Sequence, residues 1–207
     1  MQINPGKAEA DEVLVRRLRR GDGDAFAELA TRYWSALHRI GRNMLPDPSM
    51  AGDLAEATLL TALRSPKELP GEVPFRTSLY RQAMRYSLDL LFPVPGNVTR
   101  SLARYLPRFD AQGRLTSAGR DWTEERNGGF WPQDLEDRIR EILHRLDVLD
   151  RAAFVLRVVE QLPVEETAAI LEIPRESVVQ REHRASLILT GYLGELFTRT
   201  TGPQLPC

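Results

Sequence analysis

A run of polar side chains lies between positions 175 and 184. If this segment is a helix, these side chains fall on the side away from its apolar residues. It consists of Arg175, Ser177, Gln180, Arg181, His183 and Arg184. A guanidinium forms paired hydrogen bonds with a guanine edge or with a phosphate. These residue types therefore indicate recognition of nucleic acid, and we expect Arg181 and Arg184, one turn apart, to contact a guanine and a phosphate.

The residues around this run predict a helix-turn-helix. A short helix over residues 164–171 carries the small pair Ala168 and Ala169, and Pro174 can end that helix and start the next one. Small residues let two helices cross closely while the second helix presents polar side chains to the major groove. The predicted buried side of the second helix is Val178, Ala185, Leu189 and Leu193. A solvated face on an ordinary helical bundle is the alternative interpretation.

Catalytic chemistry finds little support in the sequence. His38, His144 and His183 fall on three separate predicted helices, and none has a Ser or Cys at a nucleophile spacing. The sequence contains no glycine-rich phosphate loop and no paired metal-ligand spacing, and Cys207 is its only cysteine. We therefore expect no enzyme activity, no catalytic residues, no cofactor and no metal.

Composition places the chain among folded proteins without strong bulk charge. The 207 residues are 42% hydrophobic and carry a formal net charge of −1, so DNA binding would depend on local basic patches. Apart from Lys7 and Lys67 the cations are Arg, for which a GC-rich genome is the simpler explanation. The apolar runs are too short to cross a membrane, and no secretion signal stands at the N-terminus. A cytoplasmic protein with no membrane contact is expected.

Apolar periodicity predicts an all-α fold with two small helical domains joined by a long linker. Residues 1–92 read as a bundle of helices, and Asp22 or Asp24 is placed to cap the second of them. Residues 93–134 are rich in Pro and Gly and form the linker. Residues 135–200 are helical again and carry the helix-turn-helix, in four pieces over 135–146, 150–161, 164–171 and 175–197.

The helix-turn-helix resembles the promoter-reading region of extracytoplasmic-function sigma factors. Its matching residues are Leu162, Glu165, Glu166, Ala168, Leu171, Ile173, Val178, Arg181, Arg184 and Ala185. The preceding segment is similar as well, through Leu146, Asp150, Arg151, Phe154, Leu156, Arg157 and Glu160. This resemblance implies that the run at 175–184 binds the −35 promoter element, and that core RNA polymerase and promoter DNA are the partners. It also implies an anti-sigma factor.

The N-terminal half resembles the other conserved domain of that family. By this resemblance, polymerase would be bound through Asp53, Leu54, Glu56 and Leu60. The −10 element would be bound through Phe75, Arg76, Tyr80, Arg81 and Arg85, since aromatic and Arg side chains can cradle unpaired bases. Phe75 and Tyr80 are equally suited to the core of the bundle.

Some positions depart from the family pattern and leave other functions open. Ser78 stands where the family has Trp, Phe92 and Pro93 replace basic residues, and Val179 stands where Lys is common. One alternative is a stand-alone helix-turn-helix regulator that dimerises through its N-terminal bundle. Another is a degenerate sigma-like protein that binds polymerase without opening DNA.

Overall fold

A computed structural model describes residues 10–64, 73–91 and 135–200, with the backbone alone for 63–64 and 196–200. Every regular element within these ranges is a helix, so the predicted all-α class is confirmed. The predicted linker, residues 93–134, lies outside the described residues.

The described part of the N-terminal half forms the helices α1 (Asp11–Leu18), α2 (Gly23–Met44), α3 (Met50–Arg64) and α4 (Phe75–Leu91). Asp22 caps α2, as predicted, because its carboxylate accepts hydrogen bonds from the backbone N–H groups of Asp24 and Ala25. Helices α2 and α3 approach closely at Gly41, where an added Cβ would lie only 2.7 Å from the Cα of Ala51. Glycine therefore sets the spacing of these two helices.

The C-terminal half contains α5 (Leu135–Arg145), α6 (Val148–Phe154), α7 (Val164–Leu171) and α8 (Arg175–Thr200). The helix predicted over 150–161 lies over 148–159: α6 begins two residues earlier, capped by Asp147, and continues as a π-helical turn over Val155–Val159, which was not predicted. In that turn the Glu160 N–H donates to the Val155 carbonyl at 2.9 Å, five residues back. The helix-turn-helix is α7 and α8, joined by a turn with Glu172 in the left-handed region at φ 56°.

The two halves share one hydrophobic core, which the linker-separated domains of the sequence analysis did not predict. Buried residues of α2 and α4, such as Leu37 and Leu79, belong to the same cluster as Leu156 of the π-helical turn and Ile170 of α7. A second, smaller cluster joins α5 to the middle of α8, through residues such as Ile142 and Ile188. Helix α4 therefore lies directly against α7.

Candidate nucleic-acid interface

Helix α8 divides into a buried side and an exposed side near its N-terminus. Val178, Ala185 and Leu189 are buried as predicted, whereas Leu193 is only half-buried; Ile188, which was not predicted to be buried, is also in the core. The exposed side includes Glu176, Val179, Gln180 and His183. These positions recur at three- and four-residue steps, so they lie along one face of the helix.

The sequence analysis predicted that the alanine pair of α7 would pack against the neighbouring helix. In the structure, the buried residue at this point is a threonine. Thr167 is fully buried, and its hydroxyl donates to the Pro163 carbonyl at 3.0 Å. Ala168 is half-buried and Ala169 is exposed. The alanine pair therefore faces outward more than the family-like spacing suggested, because the buried face of α7 runs through Thr167, Ile170 and Leu171.

Arg181 is committed to a contact within the protein. Its Nη1 lies 2.8 Å from Oδ1 of Asp150 and 3.2 Å from Oδ1 of Asp147. The Asp150 side chain is only 3% exposed, and Nε of Arg184 approaches its Oδ2 at 3.5 Å. Burial raises the pKa of Asp150, as does the nearby Asp147, while the two guanidinium groups oppose that rise. Arg181 thus holds α8 against α6. The side chain predicted to contact a guanine is therefore already paired with carboxylates of the protein.

The other residues of the predicted −35 surface differ in their surroundings. Arg175 pairs with Glu165 at 2.5 Å, and both side chains are more than 60% exposed. Ser177 is half-buried, whereas Gln180 and His183 are exposed. No hydrogen bond or ion pair within the described part of the chain holds the side chains of Gln180 and His183. Those two residues are therefore available to a ligand.

A further arginine that the sequence analysis did not assign to the site also positions α8. Arg157, in the π-helical turn, donates from Nε to Glu182 at 3.1 Å and also to the Leu162 carbonyl. Its position in the π-helical turn could not be read from the helical period, because a π-helical turn shifts the residues after it to another face.

The aromatic residues of the predicted −10 surface are core residues in this arrangement. Phe75 and Tyr80 are only 6% and 4% exposed. Both pack edge-on against Tyr33, with ring centroids 5.6 and 6.2 Å apart. Burial raises the pKa of Tyr80 to about 12. Of the two readings left open for these rings, the structure favours packing within the bundle.

The arginines of the same helix contact the helix-turn-helix. Arg76 donates to both carboxylate oxygens of Glu166 on α7, one of them at 2.9 Å, and the Thr77 hydroxyl donates to Glu166 at 3.0 Å. Arg81 donates to the Ala169 carbonyl at 2.8 and 3.1 Å. Arg85 is exposed. We call this contact between α4 and α7 the seam; it engages two of the five predicted −10 residues, Arg76 and Arg81.

Two more contacts hold the halves together beside the seam. Arg39 of α2 forms a bidentate pair with Glu160 at 2.8 and 3.0 Å, and the Glu160 side chain is only 3% exposed. Arg151 of α6 is buried and donates to the Met44 carbonyl at the end of α2, at 2.7 Å. Burial lowers the pKa of Arg151 to about 10. The arrangement of the two halves is therefore specified by buried polar groups as well as by apolar packing.

The predicted polymerase-binding residues lie on α3 with different exposure. Asp53 and Glu56 are exposed, Leu60 is half-buried, and Leu54 is fully buried. Leu54 is a core residue, so it supports the helix instead of offering a surface. The described residues hold no cluster of side chains suited to a metal ion and no helix that could span a membrane.

Comparisons with known proteins found families, relatives and folds similar to this chain. Residues 136–189 match the family model "Sigma-70, region 4". The chain is 24% identical to the ECF RNA polymerase sigma factor SigW of Bacillus subtilis, over 88% of this chain and 96% of the relative. Its fold is similar to that of CnrH in complex with the cytosolic domain of CnrY, with a TM-score of 0.65, 21% identity, and coverage of 90% and 99% of the two chains. A second similar structure is the sigma factor RpoE of Bartonella quintana in complex with the anti-sigma factor NepR, with a TM-score of 0.57, 18% identity, and coverage of 81% and 96%.

Proposed function

We infer that this chain, a sigma factor of the extracytoplasmic-function type, binds core RNA polymerase and directs it to specific promoters. The observation that carries the proposal is the helix-turn-helix of α7 and α8, in which Val179, Gln180 and His183 form an exposed face of α8. We divide the chain into a polymerase- and −10-binding unit (1–92), a linker (93–134) and a −35-binding unit (135–200).

In this proposal α8 enters the major groove of the −35 element. A helix fits that groove, and side chains of its first turns can reach the base edges. Arg175, Ser177, Gln180, His183 and Arg184 lie on or beside the outward face, while Arg181 holds the helix in position. Because the net charge is −1, isolated DNA would be bound weakly, and polymerase would supply the second attachment.

The −10 element would be bound only after the two halves separate. In the described arrangement, Arg76 and Arg81 are turned toward α7 and cannot meet DNA. A linker of 42 residues (93–134) could extend to roughly 140 Å at ~3.3 Å per residue, so the chain connectivity permits separation. On polymerase, α3 would present Asp53 and Glu56 while α4 was released from α7.

Two further features of this function are proposed from the relatives. The structure of RpoE from Bartonella quintana contains an anti-sigma factor, and we propose that this chain has such a partner too. A factor acting on polymerase and DNA would work in the cytoplasm, and its chemistry would require no catalytic residue, metal or cofactor.

Run-off transcription tests the function directly. Core polymerase is incubated with fragmented genomic DNA, with and without the chain, and with a variant in which Gln180 and His183 are both replaced by Ala. A variant with Ser35 replaced by Ala, exposed on α2, is the matched control. In reactions with the wild-type chain or the control variant, we expect discrete transcripts whose promoters share a common upstream sequence. In reactions with the double variant, we expect few transcripts.

Failure of this assay separates the alternatives. A stable complex with core polymerase that gives no transcripts would indicate a degenerate relative. No transcripts and no complex, together with a dimeric mass in solution, would indicate a stand-alone regulator.

A further inference from the structure

The arginines in the first three turns of α8 are all near carboxylates of the protein itself. Arg175 lies 2.5 Å from Glu165, Arg181 lies 2.8 Å from Asp150, and Arg184 lies 3.5 Å from Asp150. An Arg that reads guanine must release such a partner first. The cations of α8 are therefore better suited to position the helix or meet phosphates than to select a base.

The outward face of α8 carries an apolar side chain in the middle of a polar surface. Val179 is 49% exposed and has Glu176 and Gln180 beside it. His183 follows one turn later, so the four residues occupy positions i, i+3, i+4 and i+7 of one helix face. The described residues leave about half of the Val179 surface exposed, and a β-branched side chain favours a helix less than an unbranched one does.

Thymine is the one base whose major-groove edge carries a methyl group, and apolar side chains recognise it by contact. We propose that Val179 reads the 5-methyl group of a thymine in the upstream promoter element. The inference rests on the proposed function, which brings α8 into the major groove. A cytosine at that position would present an amino donor to a side chain that cannot accept a hydrogen bond, so Val179 selects against it.

Substitution with deoxyuridine tests the contact directly, because deoxyuridine differs from thymidine only in lacking the methyl group. Holoenzyme is assembled from core polymerase and the full chain, and each thymine of the upstream element is replaced in turn by deoxyuridine. Removal of the contacted methyl group should weaken promoter binding by about three- to fivefold, which is the effect of losing the burial of one apolar carbon. The other thymines should show less than that.

The Val179→Ala variant should lose this sensitivity, so that its thymidine and deoxyuridine promoters bind equally within about twofold. Because Val179 is half exposed, the variant is expected to have the same melting temperature as the wild type. Gln180→Ala is the matched control on the same face: it should weaken binding while keeping the deoxyuridine effect.

The outcomes separate this inference from the function on which it rests. If wild-type holoenzyme gives transcripts but no thymine is sensitive, or if Val179→Ala keeps the full sensitivity, the methyl contact is refuted and the sigma function stands. If the wild-type chain supports no transcription at all, both are refuted.

Discussion

Glu166 joins the two halves of the chain, and its replacement by Ala should shift them toward separation. Its carboxylate accepts hydrogen bonds from Arg76 and from the hydroxyl of Thr77, and its side chain is only 14% exposed. The matched control is Glu165→Ala on the same helix. Glu165 is 61% exposed and pairs with Arg175 inside the C-terminal half. The two variants remove the same charge, but only one removes a contact across the seam.

The expected magnitude follows from exposure. Arg76 is 45% exposed, so its ion pair with Glu166 contributes no more than about 1 kcal/mol after solvent screening. The Thr77 hydroxyl loses a part-buried acceptor, which adds roughly 1 kcal/mol. A total of about 1–2 kcal/mol lowers the ratio of closed to separated molecules by roughly 5- to 30-fold.

Energy transfer between two dyes measures the separation. With Cys207 replaced by Ser, cysteines are introduced at Ser35 on α2 and Thr190 on α8, both exposed. The dye separation is followed through a urea titration, in which the midpoint for loss of the closed arrangement should fall for Glu166→Ala. It should stay at the wild-type value for Glu165→Ala. Equal midpoints for the two variants, or no change in either, would refute the role assigned to the seam.

Three other results are expected. Asp150→Ala leaves Arg181 without its buried acceptor, which should destabilise the C-terminal half by about 1–3 kcal/mol and lower its melting temperature; unchanged melting would contradict the positioning role. Gly41→Ala forces α2 away from α3 and should cost roughly 1–3 kcal/mol in the free energy of unfolding, whereas Gly52→Ala, with open space around its Cβ, should not. Burial and neighbouring cations lower the pKa of His144 to about 4, so the unfolded chain binds a proton first and stability should fall as pH drops from 6.5 toward 4; a His144→Gln variant should show a flatter dependence in pH-resolved melting.

Local signals predicted the helices of both halves well. The Asp22 cap, the proline after α2 and Pro174 between α7 and α8 each act within a few residues, so their effect can be read from the chain. The π-helical turn after α6 was missed because its hydrogen bonds skip one more residue than the helical period assumes.

The residue types of α8 predicted an exposed polar surface, but they did not predict which contacts each side chain makes. The polar run on α8 is largely exposed, but Arg181 contacts Asp150, which lies 31 positions earlier in the chain. Leu54 and Tyr80 matched a binding pattern and are buried in the core. A side chain's type limits what it can bind, and only its neighbours determine whether it is free to do so.

The sequence by itself determined the all-α class, the helix-turn-helix and the face of α8 that carries polar residues, because helix periodicity and capping are short-range effects. Only the tertiary structure decided that α4 packs on α7, with Arg76 and Glu166 about ninety positions apart in direct contact. Contacts at such separations depend on how whole helices pack, and the energies of many candidate partners for an Arg or a Glu are nearly equal. Neither composition nor spacing distinguishes among those partners.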